Sequence, residues 1–184
     1  MKRIWKVKGG VVMTQWNDSD RWLFSFKTDF DRCKILEGCP WTFDNALLLL
    51  EVMDGRSDPL MILLQVQKFW VRVSGLPLTF QSSEFGERIG SKLGSVHRVI
   101  GRQEGDSAGR FLRIRVGFNI HRPLHRWVLF QPNQIVAASK YQLEYENLPY
   151  FCLYCGRLSH VCSGCQLHKV GKVVEKQYGR WKTS

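Results

Sequence analysis

The sequence predicts an α+β protein, built on antiparallel sheet with helices on one face and ending in a small metal-held module. Three observations carry that expectation. Short stretches alternate apolar and polar residues with period two, the pattern of strands that bury one face. Capped segments with helical spacing stand between them, and such a mixture fits an antiparallel sheet covered by helices. Four of the six cysteines then fall within fourteen residues, Cys152 to Cys165.

Taken in order, Val11–Gln15 and residues 21–27 read as two strands joined by Asn17-Asp18-Ser19-Asp20, residue types that favour turns. In the second strand Trp22, Phe24 and Phe26 share one face. Thr28 or Asp29 caps a short helix running to about Leu36, which Gly38 and Pro40 stop. Residues 46–53 read as a buried strand, giving the first unit (about 1–58) the order strand, strand, helix, strand. Cys33 and Cys39 flank an apolar turn with no histidine nearby and read as buried small hydrophobes. Residues 54–59, Asp-Gly-Arg-Ser-Asp-Pro, form a linker by composition.

A second unit, about 65–148, follows. Residues 69–73 make a strand ending at Gly75-Leu-Pro77. Residues 83–93 are helical, with Ser83 as cap and Phe85, Ile89 and Leu93 along one face. Residues 96–100 form a short strand and 102–109 a polar loop. From 111 to 118 the alternation is cleanest: Leu112, Ile114, Val116 and Phe118 face inward, Arg113 and Arg115 outward. Residues 135–146 supply the last strand, closed by Pro149.

The 27 Lys and Arg residues outnumber 16 Asp and Glu, a formal charge of +11. That balance favours a polyanionic partner, nucleic acid ahead of an anionic membrane surface. No apolar run reaches the roughly 18 residues of a membrane span, and no apolar signal-peptide core follows the basic residues 1–8. The expectation is a soluble intracellular chain, nuclear or cytoplasmic. The sequence carries no acidic cluster of the polymerase or nuclease type, no Gly-rich phosphate loop and no nucleophile beside a base. His97, His121 and His125 lie among arginines without a matching Asp or Cys, so a binding protein is expected rather than an enzyme, with no small-molecule substrate.

Residues 149–166 hold the sharpest motif. Cys152, Cys155, His160 and Cys165 are spaced C-x2-C-x4-H-x4-C. Three thiolates and an imidazole suit the tetrahedral preference of zinc, and four protein donors leave no open position for water. One structural Zn2+ is therefore expected. Gly156 lets the backbone fold back behind Cys155. Cys162 competes for the fourth position, but the x4 register favours Cys165. So small a module has no core of its own, and metal binding supplies its folding energy.

Single-stranded nucleic acid is held by cations along a groove and by rings on which bases stack. Three regions qualify. Within the zinc motif the residues are Tyr154 and Arg157, with Leu153 and Val161 beside them. The basic tail, 167–184, has Lys169, Lys172, Lys176 and Arg180 interleaved with Tyr178 and Trp181. The second unit has Arg113 and Arg115 on one strand face.

Seven stretches resemble a plant family in which a domain of unknown function precedes a CCHC zinc knuckle, found mostly in proteins derived from LINE-type retrotransposons. They are Phe24-Ser-Phe, residues 35–43 (ILEGCPWTF), 69–77 (FWVRVSGLP), 89–94 (IGSKLG), 110–116 (RFLRIRV), Arg122-Pro-Leu and 145–149 (YENLP). The knuckle follows, then 177–181 (QYGRW). The resemblance implies an RRM-like α/β region across residues 1–148 and a gag-like or first-reading-frame role in binding RNA or single-stranded DNA. Three features depart from the family pattern. The strand and helix that would precede Ile4-Trp5 are absent, so the RRM-like region is expected to be truncated at its N-terminus. Ser159 stands where Gly is common before the histidine. Ser163-Gly164 replaces basic residues, which leans toward a second reading, a protein-interaction or self-assembly module with a structural zinc site.

Overall fold

The computed structural model describes residues 5–44, 46–101, 111–172 and 175–179. The expected polar loop at 102–109, and Arg180 and Trp181 of the tail, lie outside the described residues. The chain divides into two compact units, Met1–Gln65 and Val66–Ser184.

In the first unit β1 (Val11–Gln15) pairs antiparallel with β2 (Trp22–Phe26), Val11 opposite Phe26. Asn17 and Asp18 make the turn with φ of 45° and 51°, a conformation their short polar side chains tolerate. Helix α1 (Asp29–Glu37) starts where the Thr28 side chain accepts the amide of Asp31, and the amide of Gly38 closes it on Lys34. The buried Asp31 carboxylate also accepts the amides of Gly9 at 2.7 Å and Lys8 at 3.1 Å, which ties the approach to β1 onto the helix. Trp5 packs beside Phe24, Phe26 and Trp41.

Two expectations are corrected here. The strand expected at 46–53 is only β4 (Ala46–Leu48), part-exposed, and it pairs with an unanticipated β3 (Trp41–Phe43). The three-residue strands give out at Leu48, and Leu48 with Leu49 and Leu50 beyond it lines an open cleft of about 400 Å³ together with Trp22, Phe24, Pro59 and Ile62. Cys39 is buried as expected, but Cys33 is exposed. Two residues before the buried Ile35, it lies about 200° round the helix.

The second unit is a five-stranded, wholly antiparallel sheet in the order β6-β7-β5-β9-β8. Its strands are β5 (Val66–Ser74), β6 (Ser95–Ile100), β7 (Phe111–Asn119), β8 (Trp127–Phe130) and β9 (Ser139–Tyr145). One face is the core: Phe69, Val71, Val73, Leu112, Ile114, Val116, Phe118, Leu143 and Tyr145 are all at most 1% exposed. Helix α2 (Ser83–Gly90) lies against β6 and β7 through Ile89, and its Gly90 fits so closely that a Cβ there would meet Val96 at 2.6 Å.

The α2 cap is Ser82, whose hydroxyl accepts the amide of Phe85, not Ser83. The helix ends at Gly90, short of Leu93. The last strand begins at Ser139 rather than 135, because Asn133 Oδ1 accepts the amides of Ile135 and Val136 and turns that segment into a loop. Ile135 is 93% exposed. Arg115, expected to face solvent, is 7% exposed, its guanidinium 5.5 Å from the Trp70 ring centroid. Among the described residues no helix is long and apolar enough to cross a membrane.

Candidate metal centre

The metal motif begins with a tight turn. The amide of Gly156 donates to the carbonyl of Cys152 at 2.7 Å, and the amide of Cys152 donates to Arg157 at 2.9 Å. Gly156 holds φ at 74°, which a side chain resists. This brings the two sulfurs of the C-x2-C pair to one side. Cys165 arrives from the other direction, after a 3-10 turn (Cys162–Gly164) and at the start of the short helix α3 (Gln166–Lys169).

The ligand atoms of Cys152, Cys155, His160 and Cys165 all lie within 4.8 Å of one another. A tetrahedron with sulfur bonds of about 2.3 Å has edges of roughly 3.8 Å, so small shifts close it around one ion. Cys152 and Cys165 are fully buried and Cys155 is 6% exposed. His160 Nε2 is 3.3 Å from Cys155 Sγ, while Nδ1 is 3.3 Å from the hydroxyl of Ser159. Ser159 thereby orients the ring from behind, the usual arrangement around a ligating imidazole. Cys162 stands outside the cluster, and its sulfur accepts the amide of Leu153 at 3.3 Å.

The donor groups differ in how burial and their neighbours shift them. Burial pushes the Cys152 thiol up to about 12. Burial also raises Cys165, but the amides of His168 and Leu167 and its two neighbouring cysteines outweigh it and leave the thiol below its ordinary value. Burial, then the Arg157 charge, lowers His160 and keeps its ring neutral with a lone pair to give. Three buried sulfurs and one half-buried nitrogen are a donor set suited to a single divalent ion such as zinc.

The motif is welded to the sheet unit. The amide of Leu124 donates to Gly156 at 2.8 Å, and that of Leu158 donates to Ile120 at 3.2 Å. The tail folds back over this junction. The Tyr178 amide donates to Leu153 at 3.0 Å, and its hydroxyl donates to Leu124 at 3.1 Å. Arg126 donates to the carbonyl of Gln177 at 2.8 Å and lies 5.2 Å over the Tyr178 ring.

Around the motif, Tyr154 packs on the cysteine cluster and stacks on His168, centroids 3.8 Å apart and planes within 9°. Lys176 Nζ is 5.9 Å from the Tyr154 ring. Lys169, Lys172 and Lys176 are exposed, Tyr178 is half-buried, and Val161 is 55% exposed. Arg157 is half-buried, its Nε lacking a hydrogen-bond partner among the described residues. Arg113 and Arg115 sit on the sheet, where Arg113 binds Glu146 through two hydrogen bonds, at 2.6 and 2.8 Å. Sequence reasoning missed the stacking role of His168 and the bridge that Arg126 makes to the tail. No local pattern announces either, because both depend on where the tail lands.

The architecture and the donor set define an α+β protein carrying a Cys3His site compatible with one metal ion. Compared with protein-family models, curated proteins and solved structures, the chain matches none.

Proposed function

We propose that this protein is a zinc-dependent binder of single-stranded nucleic acid, RNA or DNA, of the gag-like kind found among retrotransposon-derived proteins. The observation that carries the reading is the convergence of Cys152, Cys155, His160 and Cys165 beneath a basic, ring-bearing surface. With four protein donors the ion shapes the chain rather than activating water. It fixes the turn that presents Tyr154, and the tail supplies Lys169, Lys172 and Lys176 as phosphate contacts. The RRM-like reading draws support from the strand order. β5, α2 and β6 form a split β-α-β unit, with β7 inserted antiparallel between the two strands.

The test is titration of the zinc-loaded protein with single-stranded oligonucleotides at low salt, with and without chelator. Affinity is expected to fall on chelation and with rising salt; absence of binding by the zinc-loaded form refutes the proposal. Exposed apolar groups near the site, Tyr150 at 69%, Val161 at 55% and Val170 at 62%, favour self-assembly as the second reading. Light scattering on nuclease-treated protein separates the two, since a strict monomer rules assembly out.

A further inference from the structure

The open cleft of the first unit has backbone edges for walls. Every residue of β2, Trp22 to Phe26, lines it, and so does every residue from Leu48 to Met53. A strand that offered a face would contribute alternate residues, so consecutive lining marks an edge. Trp5 and, from α1, Ile35 and Leu36 complete the apolar lining.

The hydrogen-bond phase of the hairpin says which groups lie on that edge. The amide of Trp16 donates to Arg21 at 2.9 Å and that of Lys27 to Gly10 at 3.4 Å, bracketing the register that sets Val11 opposite Phe26. Bonded and non-bonded pairs alternate along an antiparallel ladder, so Leu23 and Ser25 bond to β1. The N–H and C=O groups of Trp22, Phe24 and Phe26 then point away from β1. Among the described residues no strand pairs with them, since β1 is the one neighbour of β2. The main chain of Leu49, Leu50 and Met53 likewise makes no hydrogen bond among the described residues, and the Val52 amide donates to the Glu51 carboxylate.

Neither wall is guarded. Strand edges are ordinarily blunted by Lys, Pro or a bulge. Trp22-Leu-Phe-Ser-Phe has none of these, and residues 48–53 (LLLEVM) carry a single charge, Glu51. The core of the unit is small: its fully buried hydrophobic side chains among the described residues are Trp5, Val11, Ile35 and Cys39, while Trp22 is 45% exposed. A two-stranded hairpin on so small a core is marginal unless something joins it.

Charge selects the kind of partner. Residues 1–65 hold nine Lys and Arg against nine Asp and Glu, so the whole net charge of +11 belongs to residues 66–184. Within the cleft Arg21 and Arg32 face Asp20, Asp29 and Glu51, and Arg32 pairs with Asp29 at 3.1 Å. Nothing there attracts a polyanion, whereas an uncharged apolar segment gains by burial.

We propose that the cleft is a strand-acceptor site, which takes an extended, uncharged, apolar-rich segment of a partner protein along the free edge of β2. Main-chain bonds to Trp22, Phe24 and Phe26 supply affinity, and alternate side chains entering the apolar cleft supply selectivity. The site lies wholly within the first unit and does not depend on the nucleic-acid reading of the metal centre.

The experiment uses the full zinc-loaded chain. Peptides of about nine residues, longer than a typical strand, are selected from a random displayed library, and the best binder is synthesised with blocked ends. The selected sequences are expected to alternate large apolar residues with Ser or Thr. Hydrogen exchange at the amides of Trp22, Phe24 and Phe26 should slow when the peptide binds, and that at Leu23 and Ser25, already bonded to β1, should not change. N-methylation of alternate peptide amides, which removes donors and keeps every side chain, is expected to weaken binding by about tenfold or more. Leu49→Lys, which sets a cation in the cleft wall, should weaken it to a similar degree, roughly tenfold, and the exposed Val12→Lys outside the cleft should not. Circular dichroism identifies a variant that fails to fold, and in that event the N-methylated peptide on the wild type decides. An excess of an oligonucleotide of about 16 nucleotides should leave the peptide bound.

The proposal is overturned if no selected peptide protects those three amides, or if the N-methylated peptide binds as well as its parent. Displacement by the oligonucleotide would assign the cleft to nucleic acid instead. A wild type that is dimeric without peptide, with the same three amides already protected, would make a second copy the occupant. Each of these outcomes leaves the chelator-sensitive binding of oligonucleotides, which tests the metal centre, to be read separately.

Discussion

Tyr178 fills the space that a side chain at Gly156 would need: a Cβ there would run into the phenol ring. The glycine is thus required twice, by its positive φ and by the tail lying against it.

Gly156→Ala is therefore expected to destabilise the second unit by at least ~1 kcal/mol and to weaken zinc retention against a competing chelator. Tyr178→Phe removes the hydrogen bond to Leu124 and should cost about 0.5–1.5 kcal/mol with the ring still in place. Thermal unfolding of both variants checks the order. Equal stability of Gly156→Ala and wild type would mean the tail does not lie there.

Native mass spectrometry distinguishes the two candidate fourth ligands. Cys162→Ser is expected to keep one zinc, since that sulfur accepts the Leu153 amide and a hydroxyl also accepts. Cys165→Ser is expected to lose the ion or hold it far more weakly. The reverse outcome would reassign the site.

Removal of metal should loosen the junction with the sheet as well as the motif itself. Hydrogen exchange at the amides of Leu124 and Leu158 is expected to accelerate sharply on chelation, because each of these bonds has one partner on the metal loop, the Gly156 acceptor in one and the Leu158 donor in the other. Core amides of β5 and β7 should change far less.

Glu146 gives the sheet a pH dependence of definite sign. Burial raises its pKa, but hydrogen bonds and charge from Arg113 and Arg72 outweigh that and leave it below 4.5. Because the folded value is depressed, the stabilisation is fully present above about pH 4.5. It is lost as pH falls through the folded value. Glu146→Gln should cost about 1–2 kcal/mol at pH 7 and flatten the acid limb of a urea-unfolding series. An unaltered acid limb would show that the cluster contributes nothing.

Much of this architecture is written locally and could be read locally. The Thr28 cap, the Asn17-Asp18 turn and the alternation along β7 each depend on a few neighbouring residues, as does the ligand spacing from Cys152 to Cys165. What escaped depends on distant partners. β8 was missed because Trp127 and Leu129 are exposed while Val128 and Phe130 are buried, so both faces are apolar and no alternation shows. β3 was missed because three residues following Pro40 carry little pattern without β4 beside them. Arg115 reads as a surface residue until Trp70 is placed opposite it. The x4 register favours Cys165 over Cys162 from sequence alone, but the use of the Cys162 sulfur, which accepts the Leu153 amide nine residues away, shows only in the fold.

The hydrogen bonds from Leu124 to Gly156 and from Leu158 to Ile120 mean that the cysteine-rich segment is not a detachable bead. Excised at residue 149, it would strip Leu158 of a cover that leaves it 7% exposed and abandon the Gly156 carbonyl to water. Its smallest faithful transplant includes the strands of the second unit, and a peptide of the motif alone reports on a different object.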